Sequence, residues 1–318
     1  MKVSKRKKVK RLISFVIPCY KSALTIRQVV DEIKGTMENE EFEIVLINDA
    51  SPDNTFDVIR ELCVENVNVI GINLNENFGQ HAALMAGFHH VNGDIVVCLD
   101  DDGQTPANEA GKLITAILQG HDAVYARYEK KRHSRFRNFG SYINELMARI
   151  LLEKPKDLYI SSYFAVKRFI VDEMIKYENP YPYVIGLLLR STKDIVNVDV
   201  CHREREVGKS GYTFGKLIML WLNGFTAFSV KPLRIATATG FVVAIAGFVY
   251  GIVTIIRKLL GLNYILGFSG LMSVLLFLGG LNLIMLGLIG EYIGRIYISL
   301  NKSPQFIIRE ILNDGKGK

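Results

Sequence analysis

The chain has 318 residues, 49% of them hydrophobic, with a mean hydropathy of +0.19 and a formal charge of +7. That length holds one large domain with an addition, or two domains, and the apolar fraction directs attention to membrane spans. Positions 1–11 (MKVSKRKKVKR) carry seven Lys and Arg and no acid, which accounts for the whole net charge and excludes a uniformly basic surface for nucleic acid.

This arm reads either as a segment near anionic lipid headgroups or as a solubilising tail. The next run, "LISFVIP", is too short and too β-branched for a signal-peptide core, so the domain that follows is expected in the cytosol. "ISFVIPC" (13–19), "EIVLIN" (43–48), "VNVIGIN" (67–73) and "DIVVCL" (94–99) read as buried parallel strands. Helical spacing is predicted near 23–37, 54–64, 79–90 and 107–119, with "SPDNT" (51–55) opening the second helix. Such alternation predicts an α/β domain with a mainly parallel sheet, whose ligands bind at the carboxyl ends of the strands. "NDASPD", "NENFG" and "DDDGQ" all fall there.

The four cysteines (Cys19, Cys63, Cys98, Cys201) form no CxxC pair and the six His no HExxH. Buried thiols in a reducing compartment are expected, not a zinc site or a disulfide frame. His89 and His90 read as a helix surface. "GKS" at 208–210 lacks the upstream Gly of a phosphate-binding P-loop, and no strand is followed by GxGxxG.

The acidic triplet Asp100-Asp101-Asp102 is the informative motif. In an extended stretch Asp100 and Asp102 project to one side and Asp101 to the other. Two converging carboxylates suit a hard divalent cation that shares oxygen ligands with substrate phosphates. Gln104 has the same parity. Positive partners occur in "ARYEKKRHSRFRNFG" (126–140) and "HREREVGKSGY" (202–212).

Beyond residue 230, Ile235 to Ile256 and Leu259 to Gly290 are runs without a charge. A bilayer core needs roughly 20 apolar residues as a helix, so two spans are predicted. Lys216, Lys231 and Arg234 precede them, Arg295, Lys302 and Arg309 follow, and only Arg257 and Lys258 lie between. That bias favours both ends inside. "FGKLIMLWLNGFTAF" (214–228) reads as an interfacial helix or a packed linker helix.

"FVIPCYK", "VLINDASPDNT", "NENFGQHAALMAGFHHVNGDIVVCLDDDGQTP", "HREREVGKSGYTFGKLI" and the closing "GLIGEYIGRIY" together resemble the family 2 glycosyltransferases of the GT-A fold. More narrowly, they are similar to its polyprenyl-phosphate glycosyltransferases. The likeness covers nearly the whole chain. The QxxRW motif of processive synthases is absent, the single Trp being Trp221. "NENFG" departs from many members in having Glu76 for Arg, and "YKSA" lacks an acid after the Tyr.

The resemblance implies a basic arm (1–11), a GT-A domain (12–212), an interfacial helix or linker (213–232), two transmembrane helices (233–297) and a cytoplasmic tail (298–318). It implies that Pro18, Tyr20, Asp49, Gly79, His81 and Asp101 hold the nucleotide-sugar donor, with Arg127 and Arg137 near its phosphates. Asp100, Asp102 and Gln104 match the metal site for Mg²⁺ or Mn²⁺. Arg205, Gly208, Ser210 and Tyr212 match a pattern near the acceptor phosphate, and catalysis falls to Asp100, Asp102, Arg137 and Arg205. The expected reaction moves one sugar, UDP-linked, to undecaprenyl phosphate with inversion, at the inner face of the cytoplasmic membrane. The expected enzyme is multi-pass with both termini cytoplasmic, and a homo-oligomer, a tetramer by resemblance. A transferase using another membrane lipid and a non-catalytic nucleotide-sugar-binding scaffold are the alternatives.

Overall fold

The computed structural model describes residues 11–103, 105–128, 154, 155, 157–201, 231–260, 268–301 and 303–313. The chain alternates β1 (Leu12–Cys19), α1 (Ile26–Thr36), β2 (Glu41–Asn48), α2 (Thr55–Glu65), β3 (Val69–Leu74), α3 (Gln80–Phe88) and β4 (Ile95–Cys98). A short 3-10 turn (Ala107–Glu109), α4 (Ala110–Leu118) and β5 (Ala123–Tyr128) follow. Next come β6 (Phe164–Lys167), α5 (Arg168–Met174), α6 (Val184–Ser191) and β7 (Ile195–Val200). All four expected strands and all four expected helices form, within a few residues of the expected bounds.

The eight strands make one sheet in the order β7-β5-β6-β4-β1-β2-β3-β8, with β8 at Ile308–Leu312. β1 pairs in parallel with β2 and β4, β2 with β3, and β5 with β7. The pairings β4–β6, β5–β6 and β3–β8 are antiparallel. The strands are apolar on both faces because helices cover both. On one side α1, α2 and α4 bury Ile26, Val30, Ile33, Ile59, Leu62 and Leu113 against Phe15, Ile17, Leu46 and Val97. On the other lies α3, buried around its whole circumference from Ala82 to Phe88. It can approach so closely because Gly87 has no side chain: a Cβ there would come within 2.6 Å of Val16 and 2.8 Å of Ile47. Cys19, Cys63 and Cys98 are buried free thiols and Cys201 is exposed.

Residues 298–318, expected as a tail, do not form one where they are described. After Ser303 the chain returns to the sheet, and β8 closes the edge left open by β3. Asn313, in the left-handed region (φ 58), fixes this return: its Nδ2 donates to the carbonyls of Cys63 (2.6 Å), Asn66 (3.3 Å) and Val69 (3.0 Å). The compact unit that holds the sheet therefore comprises residues 1–214 and 302–318, with 215–301 forming a second unit. That second unit contains α7 (Lys231–Leu259) and α8 (Phe268–Leu300). Among the described residues one stretch, Phe277–Leu300, is long and apolar enough to cross a membrane; Ala236–Tyr250 is apolar but shorter.

Candidate active site

Three loops meet at the carboxyl ends of β1, β2 and β4. β1 ends in Pro18 and Cys19, and Tyr20 emerges with its ring about half exposed. Lys21 turns through φ 61 and donates its N–H to Ser51 Oγ at 2.7 Å. Asp53 collects the hydroxyls of Ser51 and Thr55, each at 2.5 Å, and the Thr55 N–H at 3.2 Å. The "SPDNT" segment thus opens α2 through Asp53.

Asp49 is buried and its carboxylate is already engaged. The N–H groups of Phe78 and Gly79 donate to its two oxygens at 2.7 and 2.8 Å, and Asn77 Nδ2 donates to its carbonyl at 3.1 Å. Burial raises this carboxyl above its ordinary range, and the two backbone donors oppose that rise. The expected nucleoside contact is here the group that holds the loop before α3. Gly79 sits at φ 87, where a side chain would be strained.

The acidic triplet is a turn, not an extended stretch, because β4 stops at Cys98 and Gly103 (φ 72) reverses the chain. The alternating placement expected for these carboxylates is therefore replaced by individual partners. Asp100 accepts from Gln80 Nε2 at 3.0 Å and from the Ser162 hydroxyl. Asp101 accepts from Tyr20 N–H at 3.0 Å and from the Ser22 hydroxyl, tying the turn to the β1 loop. Burial, against the bond from Ser162, and the neighbouring charges of Asp102 and Asp101 push the Asp100 carboxyl up to about 6. Asp101 is also raised by burial, against the bonds from Ser22 and Tyr20. Burial and the charges of Asp100, Tyr159 and Asp102 hold the phenol of Tyr128, at the end of β5, well above its usual range. These carboxylates are hard oxygen donors, yet the described residues contain no set of three or more His, Cys, Asp or Glu able to hold a metal.

The remaining expected residues divide. Arg127 forms a bidentate pair with Asp199, Nε to Oδ1 at 2.6 Å and Nη2 to Oδ2 at 2.9 Å, between directly paired residues of β5 and β7. Its guanidinium is engaged there, on a surface, and not with the acidic triplet. His81 packs edge-on against Tyr183 with ring centroids 4.9 Å apart. Its Nδ1 is sealed from solvent without a partner. Burial lowers its pKa to about 4, so it brings no charge to a phosphate at neutral pH. Gln104, Arg137, Arg205, Gly208, Ser210 and Tyr212 lie outside the described residues.

Sequence reasoning missed Gln80 and Ser162. Extending the antiparallel register Cys98↔Phe164 by one further pair of steps sets Asp100 opposite Ser162. Only knowledge of that pairing identifies "YISSYF" as part of the site. Gln80 carried a visible signal, lying in the first turn of a helix predicted over 79–90 at the carboxyl edge.

Residues 14–175 match the model of glycosyl transferase family 2, and residues 231–296 match a GtrB C-terminal hairpin. An undecaprenyl-phosphate 4-deoxy-4-formamido-L-arabinose transferase of Proteus mirabilis is 33% identical over 94% of both chains. The protein of the same name from Photorhabdus laumondii is 31% identical over 96% of this chain and 95% of its own. Among solved structures, a mycobacterial protein superposes with a TM-score of 0.53 at 19% identity, covering 69% of this chain and 75% of its own. Glucosyl-3-phosphoglycerate synthase from Mycobacterium tuberculosis, in complex with Mn²⁺ and UDP-glucose, does so with 0.51 at 21%, covering 66% and 75%. These two likenesses concern the fold, which is the Rossmann-like GT-A sheet. With the catalytic-domain match spanning half of the chain and relatives aligned almost end to end, the protein belongs to glycosyl transferase family 2.

Proposed function

We propose that this glycosyltransferase moves a single sugar from a UDP-linked donor to undecaprenyl phosphate, at the cytoplasmic face of the membrane and with inversion. The observation that carries the reading is the turn after β4, where Asp100, Asp101 and Asp102 are gathered at the ligand-binding edge and Asp100 is gripped from both sides by Gln80 and Ser162. The names of the relatives aligned over 94% to 96% of this chain support the acceptor. An acceptor phosphate is already anionic near neutral pH, so the chemistry requires no strong protein base. The chain's task is to orient that phosphate behind the anomeric carbon and to stabilise the departing diphosphate.

The donor set at the turn fits a hard divalent cation, Mg²⁺ or Mn²⁺. Carboxylate oxygens are its preferred ligands, and a small protein donor set with only two carboxylates suits an ion that takes the rest of its ligands from diphosphate and water. Asp100 and Asp102, with Gln104, would hold it, and its chemistry there is neutralisation of charge on the leaving diphosphate. Asp101 instead keeps the β1 loop against the turn through Tyr20 and Ser22.

For the membrane segment we take both α7 and α8 to cross. Their exposed side chains include Phe241, Phe248, Tyr250, Leu275, Phe277 and Leu283, suited to lipid. β8 hydrogen-bonds within the catalytic sheet, so the chain regains the side it left, which requires an even number of crossings. Membranes holding the protein, given undecaprenyl phosphate and a panel of radiolabelled nucleotide sugars, should yield one labelled lipid that mild acid cleaves. Label in a diacylglycerol lipid, or no transfer from any donor, would refute the proposal.

A further inference from the structure

We propose that Tyr159 is the platform for the transferred sugar, its ring stacking against the apolar C–H face of that pyranose. The inference deepens the function proposed above and rests on it. The direction of the donor follows from that reading and the strand order. With the nucleoside at the ends of β1 and β2 and the diphosphate at the end of β4, the sugar extends to the other side of β4, towards β6 and β5. The segment leading into β6 occupies that side, and its Ser162 hydroxyl bonds Asp100 directly.

Three residues earlier, Tyr159 is 42% exposed, yet its backbone is locked. Asn197 of β7 accepts the Tyr159 N–H through Oδ1 at 2.8 Å and donates through Nδ2 to the Tyr159 carbonyl at 2.7 Å. The same Nδ2 also reaches the Tyr125 carbonyl, at 3.2 Å. The ring of Tyr128 stands perpendicular to that of Tyr159 (88°, centroids 6.5 Å apart) and braces it. A partly exposed aromatic side chain on a bracketed backbone has less freedom to lose on binding than one on a mobile loop. An aromatic face carries negative charge density and attracts the weakly positive C–H groups of a sugar ring, while the carboxylates and Ser162 offer acceptors and a hydroxyl for its polar rim. An isoprenoid tail would need a continuous apolar strip, which this polar rim interrupts. Tyr159 is thus a specificity-determining residue for the sugar, separate from the loops that hold the nucleotide.

The test compares Kd values of the full-length protein in lipid nanodiscs, by calorimetry with Mn²⁺ present. The ligands are UDP and whichever of UDP-4-deoxy-4-formamido-L-arabinose and UDP-glucose the wild type binds more tightly. Tyr159→Ala should weaken the nucleotide sugar about three- to tenfold, the range of one aromatic contact, and leave UDP unchanged. Tyr159→Phe should retain wild-type values for both. An unchanged Kd ratio in Tyr159→Ala, or equal weakening of UDP, would overturn the platform alone. A wild type that binds neither UDP nor either nucleotide sugar would overturn the function reading, and the platform with it.

Discussion

Replacing Asp49 with Asn separates two roles for the buried acid that follows β2. The wild-type carboxylate accepts one backbone N–H on each oxygen, from Phe78 at 2.7 Å and Gly79 at 2.8 Å. Asn keeps one acceptor oxygen and turns an amide donor towards the other N–H. One charge-assisted bond, about 1.5–3 kcal/mol, is lost, and a buried donor is left without its partner. A local cost of about 2–4 kcal/mol follows, which is roughly thirty- to several-hundred-fold in the opening equilibrium of the loop. Amide hydrogen exchange followed by mass spectrometry reads it directly, in peptides that cover Phe78 and Gly79. Ile17, in the middle of β1, serves as the internal control. Faster exchange confined to residues 75–80 is expected, with nucleotide binding weakened as the loop loosens. Unchanged protection of the loop alongside abolished nucleotide binding would refute this reasoning and return Asp49 to direct contact with the nucleoside.

Asp102→Asn should nearly abolish transfer, and Asp101→Asn should lose less because Asp101 serves Tyr20 and Ser22; EDTA should silence the wild type and Mn²⁺ or Mg²⁺ restore it, whereas full activity in EDTA would contradict the cation. Ser162→Ala removes a donor that favours the ionised form of Asp100, so in EDTA the Asp100 carboxyl should titrate at higher pH than in the wild type, read by carboxyl-carbon NMR, and an unmoved titration would contradict that bond's role. Asp100 retains its proton to about 6 when folded against 3.8 for a freely solvated carboxyl, so the folded state binds more protons in that window. Stability in EDTA should therefore fall as pH rises from about 4 to about 6, measured as Tm against pH. Gly87→Ala forces a Cβ against Val16 and Ile47, at a cost of about 1–3 kcal/mol; a lower Tm and a higher donor KM are expected, since α3 carries Gln80.

The first half of the sheet was legible because its strands are buried on both faces and bounded by turn residues, so composition alone marks them. The acidic triplet could be located but not arranged. Parity arguments hold for an extended chain, and Gly103 bends this one. Ser162 and Asn197 act through pairings between segments far apart in sequence, which no local pattern encodes. Arg127, placed near the phosphates by the resemblance, shows the same limit: its pairing with Asp199 across the β5–β7 ladder joins residues 72 apart in sequence. β8 is short, half-exposed and followed by "NDGKGK", the composition of a solvated end.

The placement of β8 also sets an order of events in biogenesis. The catalytic sheet is assembled from both ends of the chain, and its last strand is synthesised only after the hydrophobic helices. Between emergence of β3 and of β8 roughly ten to fifty seconds of translation elapse. Throughout that interval the β3 edge presents unpaired backbone groups to any neighbouring strand. Synthesis of α7 and α8 thus precedes closure of the sheet, and a chain stalled before Ile308 keeps an adhesive β3 edge. A nascent enzyme of this design completes its catalytic sheet only after the long helical segment that interrupts it.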